Sequence, residues 1–226
     1  MKLSIIIPIF NEENTIAKIL EKVQQASSLN YEKEIIVIDD GSSDRTLTIL
    51  KTLKNQLPLR LIHHSKNLGK GRAIRTALSK AEGNLILIQD ADLEYNPEDY
   101  EALLRSRDKD TSVIYGSRNL KPKQGGYLRC SWGVQILTGI TNLLFRAKLT
   151  DIYTCYKLLP LTLARSLNLR TNGFEIEAEI TAKILKRGIK IKEIPIHYYP
   201  RTFAQGKKIR FQDGLKGLWT ILKSRL

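Results

Sequence analysis

Asp90-Ala91-Asp92 follows the apolar run Leu85-Ile86-Leu87-Ile88 almost directly. Two carboxylates spaced by one residue at the end of a strand can hold a hard divalent cation through oxygen ligands, and Mg²⁺ or Mn²⁺ suits that donor set. A cation held there would also grip a diphosphate. Glu94 is either a further ligand or a solvated loop acid. Alone, such a triplet is usually a surface turn; its place after an apolar run gives it weight. Three more polar clusters stand in the same relation to apolar runs: Asn11-Glu12-Glu13 after Ile5-Ile6-Ile7-Pro8, Asp39-Asp40-Gly41-Ser42-Ser43-Asp44 after Ile35-Ile36-Val37-Ile38, and Asn67-Leu68-Gly69-Lys70-Gly71 after Leu61-Ile62. Carboxylates such as Asp39 and Asp40 can accept hydrogen bonds from ribose hydroxyls or a base edge. The same run also reads as a turn with a helix cap, for which Asp44 is suited.

Gly69-Lys70-Gly71 lacks the G-x-x-x-x-G-K-[ST] spacing, which excludes a P-loop nucleoside triphosphatase, although a glycine-flanked lysine at a helix start can approach a phosphate. Arg118, Arg129, Arg201, Lys207 and Lys208 lie in or beside irregular segments. Arginine binds phosphate bidentately, and each of these cations also reads as a solvated surface charge. His63, His64 and His197 have no ligand spacing and read as structural. There is no nucleophile elbow, zinc motif or nucleic-acid module.

These residues need elements to position them. Residues 3–9, 34–38, 59–62 and 85–88 read as strands. Between them, helices are expected from Asn14 or so onward with Ile16, Ile19, Leu20 and Val23 on one face, after Asp44 with Leu47, Leu50 and Leu53, and over 71–78. Strands alternating with helices imply a parallel sheet with right-handed crossovers, and runs apolar throughout fit strands covered on both faces. Ligands of such sheets bind beyond the carboxyl ends of the strands, where the polar clusters fall. Further on, 111–116 reads as a strand, 121–126 as a mobile loop, 175–185 as a helix and 189–196 as a strand. Residues 130–145 carry no charge. That is short of the roughly 20 residues needed to span a bilayer, so the segment is a core helix or an interfacial one. The tail places Phe211, Leu215, Leu218, Trp219 and Leu222 on one helical face, with Lys216 and Lys223 off it. It suits a membrane surface or docking on the chain's own core.

The chain has 226 residues, 42% of them hydrophobic, and a formal net charge of +14, enough for one domain with a packed core. From Lys183 onward there are twelve Lys and Arg against two acids, Glu193 and Asp213. Nucleic acid, an anionic membrane or phosphorylated substrates would each explain this bias, as would a surface kept soluble by charge. The apolar start, 5–9, is too short for a signal peptide, and Cys130 and Cys155 form no metal spacing, so a reduced cytoplasmic setting is expected.

Taken together, the motifs resemble the family 2 glycosyltransferases of GT-A fold, and among them the polyprenyl-phosphate sugar synthases of the dolichol-phosphate mannose synthase kind. The matching segments are 4–16, 34–46, 67–78, 90–100, 115–118, 151–157, 173–180 and 199–219. The resemblance implies an α/β GT-A fold: a mostly parallel, Rossmann-like sheet flanked by helices, with a C-terminal amphipathic interfacial helix. It implies a single domain over 1–226, with a nucleotide-sugar half (1–118) and an acceptor and membrane-facing half (119–226). It further implies that Pro8, Phe10, Glu12, Asp39 and Asp40 line the donor pocket with Gly69, Lys70 and Asp90. Asp90, Asp92 and Glu94 would hold Mg²⁺ or Mn²⁺. Arg201 and Lys207 would lie over the donor phosphates, and Arg118, Arg129 and Ser131 would hold the acceptor phosphate. The catalytic set would be Asp90, Asp92 and Arg118.

The expected reaction is metal-dependent, inverting transfer from GDP-mannose or a UDP-hexose to dolichyl or undecaprenyl phosphate. The protein would lie on the cytoplasmic face of a membrane, attached peripherally or through a membrane-anchoring partner subunit, without nucleic acid. Two alternatives remain. A saccharide or protein acceptor would need a carboxylate base, for which Glu177 or Asp151 could be proposed. A non-catalytic protein binding nucleic acid or membrane would account for the basic charge but not for the acidic strand ends.

Overall fold

The computed structural model describes residues 1–108, 111–120, 128–201 and 211–225, with the backbone alone for 128–131 and 211. The apolar runs form β1 (Lys2–Ile9), β2 (Glu32–Asp39), β3 (Leu59–His63) and β4 (Leu85–Ile88). Between them lie α1 (Ile16–Gln25), α2 (Thr46–Leu53) and α3 (Lys70–Lys80). The chain continues through α4 (Tyr100–Arg105), β5 (Val113–Ser117), α5 (Leu128–Phe145), β6 (Lys157–Pro160), α6 (Leu161–Ser166), α7 (Ile176–Lys186), β7 (Ile191–Pro195) and α8 (Phe211–Arg225). The expected loop 121–126 lies outside the described residues.

The sheet has seven strands in the order β3-β2-β1-β4-β6-β5-β7. β6 runs antiparallel to both neighbours and the other pairings are parallel. Six strands therefore end at one edge, and β6 begins there. The chain moves outward from β1 to β3 and then returns to β4. The connection thus reverses between β1 and β4, the switch point where sheets of this kind open a crevice. Residues 10–13 and 90–94 follow those two strands.

Ile5, Ile6, Ile7, Ile36, Val37, Ile38, Leu87 and Ile88 are all fully buried. Each contributes about 1.5–3 kcal/mol of burial, which fixes the strands and so the height at which the polar residues emerge. On α1, Ile16, Ile19, Leu20 and Val23 face this core as their spacing predicts. The sequence predicts Asp44 as the cap of α2; the cap position is instead Arg45, which makes no side-chain cap bond, and Asp44, one residue earlier, accepts from the Thr46 N–H at 2.9 Å.

A second, smaller core joins α5, α7 and α8 through Leu137, Leu149, Ile152, Ala178 and Ile221. Here the tail departs from its apolar stripe. α8 buries Gly217, Thr220 and Ile221 and leaves Leu215, Trp219 and Leu222 exposed. The reason is steric: a Cβ at Gly217 would overlap the Tyr153 hydroxyl, so the helix docks by its smallest residue. α5 likewise turns Trp132, Ile136 and Leu143 outward. No helix among the described residues is long and apolar enough to cross a membrane.

Candidate active site

At the β2 end, Asp39 and Asp40 are buried and each is paired with a histidine from the end of β3. His63 Nδ1 lies 2.7 Å from Asp39 Oδ2, and His64 Nδ1 lies 2.6 Å from Asp40 Oδ1. Asp40 also accepts from the backbone N–H groups of Leu68 and Gly69, the latter at 2.7 Å. Its carboxylate thus pins the loop that delivers Lys70, whereas Asp39 accepts a longer backbone bond from Ser42, at 3.4 Å. On the neighbouring strand, Pro8 and Phe10 are half-buried at the end of β1. Asn11, with φ +51°, donates through its N–H to Ser42 Oγ at 3.0 Å, tying the first two clusters together. Glu12 is buried, and its N–H donates to Thr46 Oγ1 at 2.9 Å.

Gly69-Lys70-Gly71 shows why glycines flank the lysine. Gly69 has φ +96°, and a Cβ on either glycine would collide with the backbone of Thr171 or Asn172. Close approach of that segment brings the start of α7 to the start of α3. Lys70 Nζ then sits 2.7 Å from Asp90 Oδ1 and 2.9 Å from Glu177 Oε1. Glu177 Oε2 receives the fully buried Lys157 ammonium at 2.5 Å, and Lys157 also donates to the carbonyls of Ile152 and Thr154. Burial would raise the Glu177 pKa, but the two lysines outweigh it and hold the carboxyl below its ordinary range. Lys70 is subject to the same contest: burial lowers its pKa, but Asp90 and Glu177 carry it well above the lysine range. Asp90 is fixed from behind by Gln89. The buried Gln89 amide donates to the Asp90 carbonyl at 2.8 Å and accepts from the hydroxyls of Tyr100 and Tyr156 at 2.6 and 2.7 Å.

Beyond Asp90 the loop turns sharply. Leu93 has φ +63°, a left-handed backbone that an L side chain rarely adopts, and the Glu94 N–H donates to Asp92 Oδ1 at 3.1 Å. This turn aims Glu94 at the segment following β7. Tyr95 bridges Tyr198, Tyr198 Oη donates to Glu94 Oε2 at 2.7 Å, and the Arg201 N–H donates to Glu94 Oε1 at 2.7 Å. Asp99 holds the same segment through the His197 N–H at 2.8 Å. The Arg201 guanidinium consequently enters the acidic group: Nη1 is 3.0 Å from Glu12 Oε2, and Nη2 is 3.1 Å from both Glu12 Oε1 and Asp92 Oδ2. Burial, and then the charges of Asp90 and Glu94, raise the Asp92 carboxyl to about 7 against the pull of Arg201.

Arg118 lies on the other side of Glu94. Its Nε and Nη2 clamp Asp151 at 2.7 and 2.8 Å, and its guanidinium covers the Tyr198 ring at 5.1 Å. A single tyrosine therefore separates it from Glu94. Glu193 secures Asp151 from below by accepting its N–H at 2.9 Å. The side chains of Arg129 and Ser131, and all of Lys207, lie outside the described residues.

Pro8, Phe10, Glu12, Asp39, Asp40, Gly69, Lys70, Asp90, Asp92, Glu94, Arg118 and Arg201 thus stand along one sheet edge. Gln89, Lys157 and Tyr198 join them unannounced. The only hint in the chain is polar residues where an apolar strand begins or ends. Among the described residues, no three acidic, histidine or cysteine side chains converge as a ready ligand set. The donor chemistry of Asp90, Asp92 and Glu94 nonetheless fits a hard divalent cation: all are carboxylates, and the cations Lys70 and Arg201 already stand among them.

The sheet order, the single antiparallel strand and the crevice at the β1–β4 switch define the GT-A fold, and solved structures agree. Glucosyl-3-phosphoglycerate synthase from Mycobacterium tuberculosis, in complex with Mn²⁺, uridine diphosphate and phosphoglyceric acid, superposes with a TM-score of 0.75 at 16% identity, covering 99% of this chain and 78% of that one. The family model for glycosyl transferase family 2 matches residues 4–164, and the chain belongs to that family. Among curated relatives, dolichol-phosphate mannosyltransferase of Pyrococcus furiosus is 28% identical over 225 residues, 96% of this chain and 60% of that protein. Dodecaprenyl-phosphate galacturonate synthase of Rhizobium johnstonii is 32% identical over 145 residues, 62% of this chain and 43% of its own length. The chain thus spans three fifths or less of these relatives.

Proposed function

We propose that this chain transfers a sugar from a nucleotide-sugar to a polyprenyl phosphate, inverting the anomeric configuration. The observation that carries this reading is the pairing of charges at the sheet edge. The two carboxylates that could serve as a base for a hydroxyl acceptor are both committed: Glu177 to Lys70 and Lys157, and Asp151 to Arg118. A phosphate monoester is already anionic and needs orientation rather than a base. Relatives named for dolichol, dodecaprenyl and undecaprenyl phosphates support the same acceptor class.

Asp39, buried at the β2 end, reads the nucleoside with Pro8 and Phe10 beside it. Asp40 acts indirectly, by holding the loop that carries Gly69 and Lys70. Asp90, Asp92 and Glu94 would hold Mg²⁺ or Mn²⁺, which as a Lewis acid would stabilise the charge growing on the departing diphosphate. Lys70 and Arg201 supply further positive charge to the donor phosphates. Arg118, fixed by Asp151, presents its remaining donors to the acceptor phosphate and aligns it for attack on the anomeric carbon. Arg129 and Ser131 join it there, and Lys207 joins the donor side. In this scheme 1–118 is the donor half and 119–226 the acceptor half.

A lipid acceptor also accounts for the outward apolar residues of α5 and α8, with Trp132 and Trp219 as interfacial anchors among basic neighbours. The chain then works at the cytoplasmic face of a membrane, held peripherally or through a membrane-anchoring subunit. The test is a panel of GDP- and UDP-sugars with undecaprenyl and dolichyl phosphate, with and without Mn²⁺. A metal-dependent lipid-linked sugar is expected from one of the donors. Transfer to free saccharides but to neither lipid would remove this acceptor class.

A further inference from the structure

We propose that Arg201 is the internal counterion of the metal site: its guanidinium holds the acidic group together and must leave for a divalent cation to enter. This rests on reading Asp90, Asp92 and Glu94 as metal ligands. Asp92 Oδ1 is committed to its own turn through the Glu94 N–H, and the other oxygen, Oδ2, is the one Arg201 holds at 3.1 Å. The same guanidinium takes both oxygens of Glu12, while its Nε stands 4.0 Å from Glu94 Oε1. Arg201 is therefore in contact with three carboxylates on two loops, and it screens charges that would otherwise repel one another.

The fit is incomplete in a telling place. Among the described residues, Arg201 Nε is buried without a hydrogen-bond partner, so there the guanidinium meets the site with one donor unsatisfied. An unmatched buried donor is costly and favours exchange for a ligand that satisfies it. A free divalent ion must displace Arg201 and leave its charge without partners. A metal–diphosphate complex supplies phosphate oxygens that accept the displaced guanidinium. Metal and nucleotide should therefore bind together far better than the metal alone, and Arg201 is the residue that couples them.

The experiment is Mn²⁺ titration of metal-free protein, followed by electron paramagnetic resonance, alone and with saturating UDP or GDP. Wild type is compared with Arg201→Gln and Arg201→Lys, and with Asp92→Ala as the ligand control. Arg201→Gln should bind Mn²⁺ alone about tenfold more tightly than wild type and gain less from the diphosphate, with Arg201→Lys in between. Equal or weaker Mn²⁺ binding by a folded Arg201→Gln overturns the proposal, and Arg201→Lys gives the same decision if the Gln variant does not fold. Undiminished Mn²⁺ binding by Asp92→Ala in the presence of diphosphate would instead overturn the assignment of the metal ligands.

Discussion

Asp92 is the residue on which most of the site's electrostatics meet. It lies between Asp90 and Glu94 in sequence, faces Arg201 in space, and is pushed up to about 7 first by burial and then by its acidic neighbours. Asp92→Ala should abolish sugar transfer without loss of the fold; near-wild-type turnover at saturating metal would remove Asp92 from the ligand set. The raised value also has a consequence for stability. In metal-free protein, the folded chain keeps a proton on Asp92 that the unfolded chain has already lost, over the window from the usual aspartate range up to about pH 7. Ionising Asp92 therefore costs stability as pH rises through that window; the cost is absent below it and complete above it. Asp92→Asn should accordingly raise the melting temperature in chelator at about pH 8, with a gain that shrinks toward about pH 4. A gain of equal size at both ends would contradict this assignment of charge.

At the scale of elements, the strands act as rulers. Their apolar runs are readable because strands buried on both faces leave continuous hydrophobic stretches, and the polar residues at their ends are readable for the same reason. Asp39, Asp90 and Glu12 are therefore legible as edge residues. What they pair with is not. Arg118 and Asp151 are 33 residues apart, Lys157 and Glu177 are 20 apart, and Arg201 and Glu12 are 189 apart. No periodicity encodes such partners, since they meet only through the sheet order and the antiparallel insertion of β6. The α8 face was similarly hidden, because a stripe of apolar side chains outweighs a glycine in any pattern, while the close contact at Gly217 decides the docking.

Two element-level outcomes follow. Gly69→Ala forces a side chain into a left-handed backbone against Asn172, and should cost about 1–3 kcal/mol and weaken donor binding by displacing Lys70; urea unfolding and donor KM check both. Trp132→Ala and Trp219→Ala remove side chains that are 63% and 67% exposed. They should leave the melting temperature unchanged and reduce cosedimentation with anionic vesicles. A loss of fold with unchanged vesicle binding would assign these tryptophans to packing instead.

For the whole molecule, one arrangement answers several demands. Six strand ends and the start of β6 bring acidic residues to the β1–β4 crevice and basic ones around it, so a chain of net charge +14 concentrates its carboxylates where a cation and two phosphates would meet. Beyond the sheet, α5 and α8 share a small core with α7 and turn tryptophans outward. The most direct measurement is the product formed by purified protein from radiolabelled nucleotide-sugars and polyprenyl phosphate in vesicles, with Mn²⁺ or with chelator. The account predicts a sugar–phosphate lipid with one of the donors, formed with inverted anomeric configuration and lost in chelator. Failure to form a lipid-linked sugar from any donor, or equal yield in chelator, would contradict it.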